Sequence, residues 1–210
     1  MGLGGLGLGP NNNMHVYNLT KNESQGPPPP PAYPRISVSD ERVHFPHRGN
    51  SNYVLVEEDP TLGRKIVTIK DICWLEIRHT FSVTPGTYSV SLRLRVNPED
   101  FRWPHTDTQP TTFSLSSPLP SGDQELTSVN VYSNWWNALK RPWTSPIPDI
   151  EGLSVYWEEA RPGERTGWVT VILGPITVTQ DSLVFRMRDV ECPHWKSGIS
   201  FDFLQLTRHY

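Results

Sequence analysis

Thr87-Tyr88-Ser89-Val90-Ser91-Leu92-Arg93-Leu94-Arg95-Val96 alternates without a break: Tyr88, Val90, Leu92, Leu94 and Val96 hold one parity, serines and arginines the other. A period of two belongs to a β-strand with one face in a core; a helix would spread these side chains around its circumference. Just upstream, Ile72 to Val83 reads as a second strand, closed by Thr84-Pro85-Gly86, a turn of the kind that joins antiparallel neighbours. Downstream, the β-branched run Trp168 to Leu173 ends at Gly174-Pro175. Ser182 to Val190 follows, with Leu183, Phe185 and Met187 on one face, and then Gly198 to Thr207, with Ile199, Phe201 and Phe203 on one face. Nothing of helical length keeps a 3.6-residue pattern; Asn134 to Leu139 fits one turn, and Arg64 to Ile72 fits a short helix or a strand. Short strands separated by Gly/Pro turns define an all-β protein, a sandwich or a barrel.

Residues 97–148 differ from their surroundings. They are rich in Pro, Ser and Thr yet contain Trp103, Trp135, Trp136 and Trp143. Rings of that size contribute considerable burial. We expect strands near Thr111 to Ser116 and Ser128 to Tyr132, with long loops clamped onto the sandwich. Residues 1–34, a Gly/Leu stretch, an Asn run and the prolines Pro27 to Pro31, lack the apolar surface to offset ordering entropy. The expected organisation is a disordered tail over 1–34 and one β domain over 35–210.

A formal net charge of −3 and no run of Lys or Arg longer than two argue against nucleic-acid and membrane-surface partners. Apolar stretches are strand-sized, and the Gly/Leu N-terminus has no basic flank, so neither a span nor a secretory leader is expected. The two cysteines, Cys73 and Cys192, read as small buried hydrophobes; they bridge only if the fold brings their strands together. The compartment expected is cytoplasmic or nuclear.

Catalytic patterns are missing from the sequence. There is no G-x-S-x-G elbow, and Cys192-Pro193-His194 lacks the second ligand pair of a zinc site, so no metal and no cofactor are expected. Glu57-Glu58-Asp59, Glu99-Asp100 and Glu158-Glu159 are neighbours, which on a strand point to opposite faces, whereas glycoside hydrolysis needs two carboxyls facing one bond. A hydrolase would need carboxylates that meet only in three dimensions. The informative class is aromatic: eight tryptophans in 210 residues. Such rings either fill a core or stack on the apolar face of a sugar.

Val67-Thr-Ile-Lys-Asp-Ile-Cys73-Trp74-Leu75-Glu76-Ile77-Arg78, followed by Ser82 to Tyr88, resembles the signature block of the phloem protein 2 (Nictaba-type) lectin family, a domain type also found in F-box proteins. Gly167 to Gly174 is similar to that family's "G-W-L-E-I-x-L-G". His194-Trp195-Lys196-Ser197-Gly198-Ile199 resembles its "W-K-S-G-L/I", and Arg35 to Asp40 its opening "I-S-A-R-D". The resemblance implies a two-sheet antiparallel β-sandwich of jelly-roll type with long loops. It also implies a non-enzymatic lectin-like domain for N-acetylglucosamine-containing glycans or glycoproteins. Aligning on Ile36-Ser37 puts Phe45 at the first of the family's sugar-binding tryptophans; aligning on Asp59-Pro60 puts Tyr53 at the second and Leu55 at the third. The ligand residues expected are Phe45 and Tyr53, with polar help from Asn50, Asn52 and Glu58. The competing reading is a protein-interaction module, for example for substrate recognition linked to ubiquitination, that engages a partner through Trp135, Trp136 and Trp143.

Overall fold

The computed structural model describes residues 35–103, 109–140, 147–158, 167–190 and 193–210. These form two antiparallel sheets packed face to face. Residues 1–34, Trp143 and Cys192 lie outside the described residues.

The strands in chain order are β1 (Arg35–Ser37), β2 (Val54–Asp59), β3 (Arg64–Ile69), β4 (Leu75–Ser82), β5 (Gly86–Val96), β6 (Thr111–Leu119), β7 (Gly122–Val131), β8 (Leu153–Trp157), β9 (Val169–Val178), β10 (Ser182–Asp189) and β11 (Ile199–His209), with a short helix α1 (Ser133–Leu139) after β7. The larger sheet runs β2-β3-β11-β5-β9-β8, with β1 also paired to β11; the smaller runs β4-β10-β6-β7. The alternating decamer is the middle of this plan: β5 pairs with β11 on one side and β9 on the other, and Val90, Leu92, Leu94 and Val96 are buried in the core. The facing layer includes Leu75 and Ile77 from β4, Phe113 and Leu115 from β6, and Phe185 and Met187 from β10.

Four local expectations change. Thr84-Pro85-Gly86 is not a hairpin turn, because β4 pairs with β10 in the smaller sheet while β5 lies in the larger. The turn is an arch between layers, closed by the Tyr88 hydroxyl donating to the Thr84 carbonyl at 2.7 Å. Phe203 does not share a face with Ile199 and Phe201. The register shifts between Phe201 and Leu204, so Leu204 and Leu206 enter the core instead. Phe203 turns to the outer face, where the Arg35 guanidinium lies 4.5 Å from its ring. Strand β9 does not stop at Gly174-Pro175. It continues as an edge beyond the last β8 pair at Leu153–Leu173, where a proline lacking an N–H costs nothing on the open side. Gly174 is required there: at φ 112° its backbone sits so close to Tyr88 that a Cβ would meet the Tyr88 carbonyl oxygen at 2.9 Å.

Last, the middle region contains a long hairpin, β6–β7, turning at Leu119–Gly122, rather than two short strands in loops. Helix α1 follows and buries Trp135 and Trp136. Trp136 stacks on Trp103 with centroids 4.3 Å apart, Trp135 meets Trp136 edge-on at 4.9 Å, and Phe113 lies 6.0 Å from Trp135. The tryptophans close one end of the sandwich.

Candidate functional site

Two chain segments leave one sheet near each other: the β3–β4 connection, which carries Cys73 and Trp74, and the approach to β11, which carries His194, Trp195 and Lys196. They join through an isolated bridge, Ile72 to Lys196, with reciprocal backbone hydrogen bonds at 3.0 and 2.8 Å. Away from regular ladders, the carbonyls of Cys73 and His194 need other donors. Lys196 supplies them. Its side chain is fully buried, and Nζ donates to the Cys73 carbonyl at 2.5 Å and to the His194 carbonyl at 3.2 Å.

The buried charge is balanced. Nζ lies 3.2 Å from Asp189 Oδ1 at the end of β10. Asp189 Oδ2 accepts from the Thr111 hydroxyl at 2.9 Å, and Thr111 Oγ1 accepts from Trp136 Nε1 at 3.0 Å. Burial pushes the Asp189 carboxyl above its ordinary range, against the opposing pull of the Lys196 charge and the Thr111 hydroxyl. The network ties both segments to the aromatic end of the core. The residues next to the two anchored carbonyls, Trp74 and Trp195, stay in water, 59% and 51% exposed.

Trp195 has a partner ring. Tyr53, half-buried, lies nearly parallel to it, with an interplanar angle of 15° and centroids 6.2 Å apart; His47 meets the other side of the cluster 5.2 Å from Tyr53. The loop before β2 is built to hold Tyr53. His47 takes the left-handed φ of 59°, its carbonyl accepts from the Asn50 N–H, and the Asn50 carbonyl accepts from the N–H groups of Tyr53 and Val54. Arg48 anchors the loop from behind by donating to the carbonyls of Val38, Asp40 and Val43. A non-glycine residue in that conformation signals a position the surroundings over-determine.

The expected ligand residues separate. Tyr53 is in the cluster. Asn50 shapes the turn, its Oδ1 accepting from the Asn52 N–H at 3.0 Å, and Asn52 is exposed beside it. Phe45 is corrected: at 6% exposure it packs edge-on against Phe201, 5.9 Å between centroids, and is core. Glu58 is corrected as well. It lies four residues beyond Val54 on β2, roughly 13 Å along the strand at ~3.3 Å per residue. Trp135 and Trp136 present no surface to a partner, because helix α1 turns both inward. Sequence reasoning missed Trp74 and Trp195, although both stand in quoted motif blocks. The alternation held the signal: with Leu75 and Ile77 inside, Trp74 shares the outward parity of Glu76 and Arg78.

Among the described residues no three His, Cys, Asp or Glu side chains gather as a metal site, and no helix is long and apolar enough to cross a membrane. Cys73 is free.

Fold and surface together define a β-sandwich domain that displays exposed aromatic rings where the chain crosses between its sheets. The chain belongs to the phloem protein 2 family, whose model matches residues 46–207. Among curated proteins no sequence matches this chain. Solved structures with similar folds include a family-61 carbohydrate-binding module in complex with β-1,4-galactotriose (TM-score 0.39, 11% identity, 80% of this chain and 88% of that one). A family-4 carbohydrate-binding module is similar at TM-score 0.36 and 10% identity, over 80% of this chain and 86% of that one. A Podospora anserina β-(1,4)-mannanase with a family-35 module matches at TM-score 0.40 and 13% identity; the match covers 85% of this chain but only 28% of the mannanase.

Proposed function

We propose that this domain is a non-catalytic carbohydrate-binding module, and that Trp195 and Tyr53 form the platform for a sugar ring of N-acetylglucosamine-containing glycans in the cytoplasm or nucleus. The observation that carries the reading is a half-exposed tryptophan stacked on a tyrosine and locked from behind by a buried ion pair. A large ring held rigid in water has most of its ordering cost met before a ligand arrives. Covering the exposed half, on the order of 100 Å², contributes about 2.5 kcal/mol at ~25 cal/mol per Å². An acetamido methyl adds apolar contact, and the neighbouring His47, Asn50 and Asn52 offer hydrogen-bonding groups for hydroxyls and the amide.

Asp59, buried on the outer face of β2, is not poised as a general acid. Burial alone would raise its pKa, but the backbone N–H groups of Leu62 and Thr61 and the Arg95 charge outweigh it and hold the group below the ordinary range. A general acid needs the opposite shift.

The test is calorimetric titration of the full chain with chito-oligosaccharides, alongside Trp195→Ala and Tyr53→Ala. We expect binding in the wild type and at least about a tenfold loss in each variant, equal to ~1.4 kcal/mol. Unchanged affinity in Trp195→Ala, with folding intact by circular dichroism, overturns the assignment.

A further inference from the structure

The outer face of the larger sheet carries a groove of about 820 Å³, whose wall is tied to the backbone of Tyr53. Lys70 and Asp71, at its wall, donate their backbone N–H groups to the Tyr53 carbonyl at 2.9 and 3.3 Å. Parity carries the same face onward. Val54 is buried in the core, so Glu57, on the opposite parity of β2, projects outward and lines the groove. Lys196 points inward, which puts Trp195 and the groove residue Ser197 on the outward side.

The groove floor is a transverse row set by register: Thr68 of β3 opposes Ser200 of β11, which opposes Arg95 of β5. The Thr68 and Ser200 hydroxyls hydrogen-bond at 2.9 Å. Arg95 is fixed twice, donating to Asp59 Oδ2 at 3.1 Å and lying 4.6 Å from the Trp168 ring centroid. Fixed hydroxyls beside a paired guanidinium and carboxylate offer donors and acceptors in alternation. That pattern suits vicinal hydroxyls of a neutral polyol, while five carboxylates against Lys70, Arg95 and Arg102 in the lining give no positive field for a phosphate or a polyanion. The volume falls in the range of ligand sites.

We propose that this groove is the extension subsite of the aromatic platform: it takes the further residues of a neutral oligosaccharide whose first ring stacks on Trp195. This rests on the platform reading. Strand β2 advances roughly 10 Å between Val54, next to Tyr53, and Glu57, at ~3.3 Å per residue. Affinity should therefore grow with oligosaccharide length.

The experiment titrates the full chain calorimetrically with di- and pentasaccharides of β-1,4-linked N-acetylglucosamine, glucose and galactose. We expect the pentasaccharide of the series that binds to exceed its disaccharide by about tenfold. Thr68→Val/Ser200→Ala removes both hydroxyls of one hydrogen bond, so neither is left unpaired. It should abolish the length gain and leave the disaccharide unchanged. Glu57→Gln, at an exposed position, should reduce the pentasaccharide alone and serves if the double variant fails to fold. No length gain, or a gain that survives these substitutions, overturns the groove and leaves the platform standing. A pentasaccharide lost in the groove variants but insensitive to Trp195→Ala keeps the groove and overturns the platform. No binding of any sugar overturns both.

Discussion

Lys196→Met tests the central physical claim about the site, that a buried ammonium holds the two tryptophan-bearing segments together. Methionine has similar length and no charge, so volume is nearly preserved while the contacts of the charge vanish, among them those to the Cys73 carbonyl, the His194 carbonyl and Asp189. Removing one partner of a buried pair costs about 3–5 kcal/mol, because the other is left uncompensated. Two carbonyls that lose their donor raise the figure if water cannot enter. Protonation of Asp189 lowers it, since burial already favours the neutral acid. At about 2–4 °C per kcal/mol for a domain of this size, the midpoint of thermal unfolding should fall by on the order of 10 °C. The assay is urea and thermal unfolding by far-ultraviolet circular dichroism, with Asp189→Asn and the double variant completing a cycle. The double variant should be less damaged than the two single costs added, because each substitution removes the reason for the other group's penalty. Tryptophan fluorescence reports the local consequence: the loosened segments should shift emission before global unfolding. A Lys196→Met protein within about 0.5 kcal/mol of wild type, which is an ordinary surface effect, refutes the latch.

Phe45→Ala should cost about 3–5 kcal/mol as a core cavity while leaving sugar affinity per folded molecule unchanged, which denaturant titration and calorimetry separate. Burial, aided by the Arg42 charge, lowers the His79 pKa below its ordinary 6.5, against the Arg42 carbonyl hydrogen bond and Asp40, so the folded state prefers neutral imidazole. Its contribution is complete above pH 6.5 and is lost as pH falls through the depressed value; His79→Gln should flatten stability against pH in that window. Asp59 titrates below 3.8 in the folded state, so its contribution is present above 3.8 and lost further into acid. Asp59→Asn should remove that part of the acid limb in a pH series of thermal midpoints.

Strands with a fully buried face were legible, because burial writes a period of two into the sequence: β5, β4 and β10 were all visible, whereas β2 and β8, each with few buried residues, were not read. Of strand β7 only the end, Ser128 onward, was visible, since Gly122 to Glu125 are exposed on both faces and leave no pattern. Sheet assignment was hidden for another reason. A Thr-Pro-Gly turn is compatible with a hairpin or an arch, and only the registers of β4 with β10 and β5 with β9 and β11 decide between them. The bulge at Phe201–Leu204 reverses parity within a single apolar run, so Phe203 looked like core. At the site, family alignment pointed to Tyr53, which lies beside Trp195, and to Phe45, which is core, because alignment transfers positions and not the direction a side chain takes; Glu58 was suggested only by its nearness in sequence. Lys196 was passed over since a lysine in isolation is expected outside.

The location of the exposed rings follows from the topology. A sandwich in which the chain changes sheets must carry backbone through a stretch where neither ladder satisfies its carbonyls. Two such stretches meet at Ile72 and Lys196. A long cation from within can serve two carbonyls at once, but only by turning its own segment so that the lysine faces inward. On an extended segment its neighbours then face outward, and Trp195 is that neighbour on the N-terminal side. The buried charge is expensive as a means of stability alone, since well-packed apolar residues often do as well. Its use here is geometric: it fixes two segments rigidly at the surface, and a rigid ring beside a fixed tyrosine binds with less ordering cost than a mobile one. In the proposed reading the ion pair and the platform are parts of one device. Loss of Lys196 should weaken sugar binding even under conditions where the remaining protein is folded.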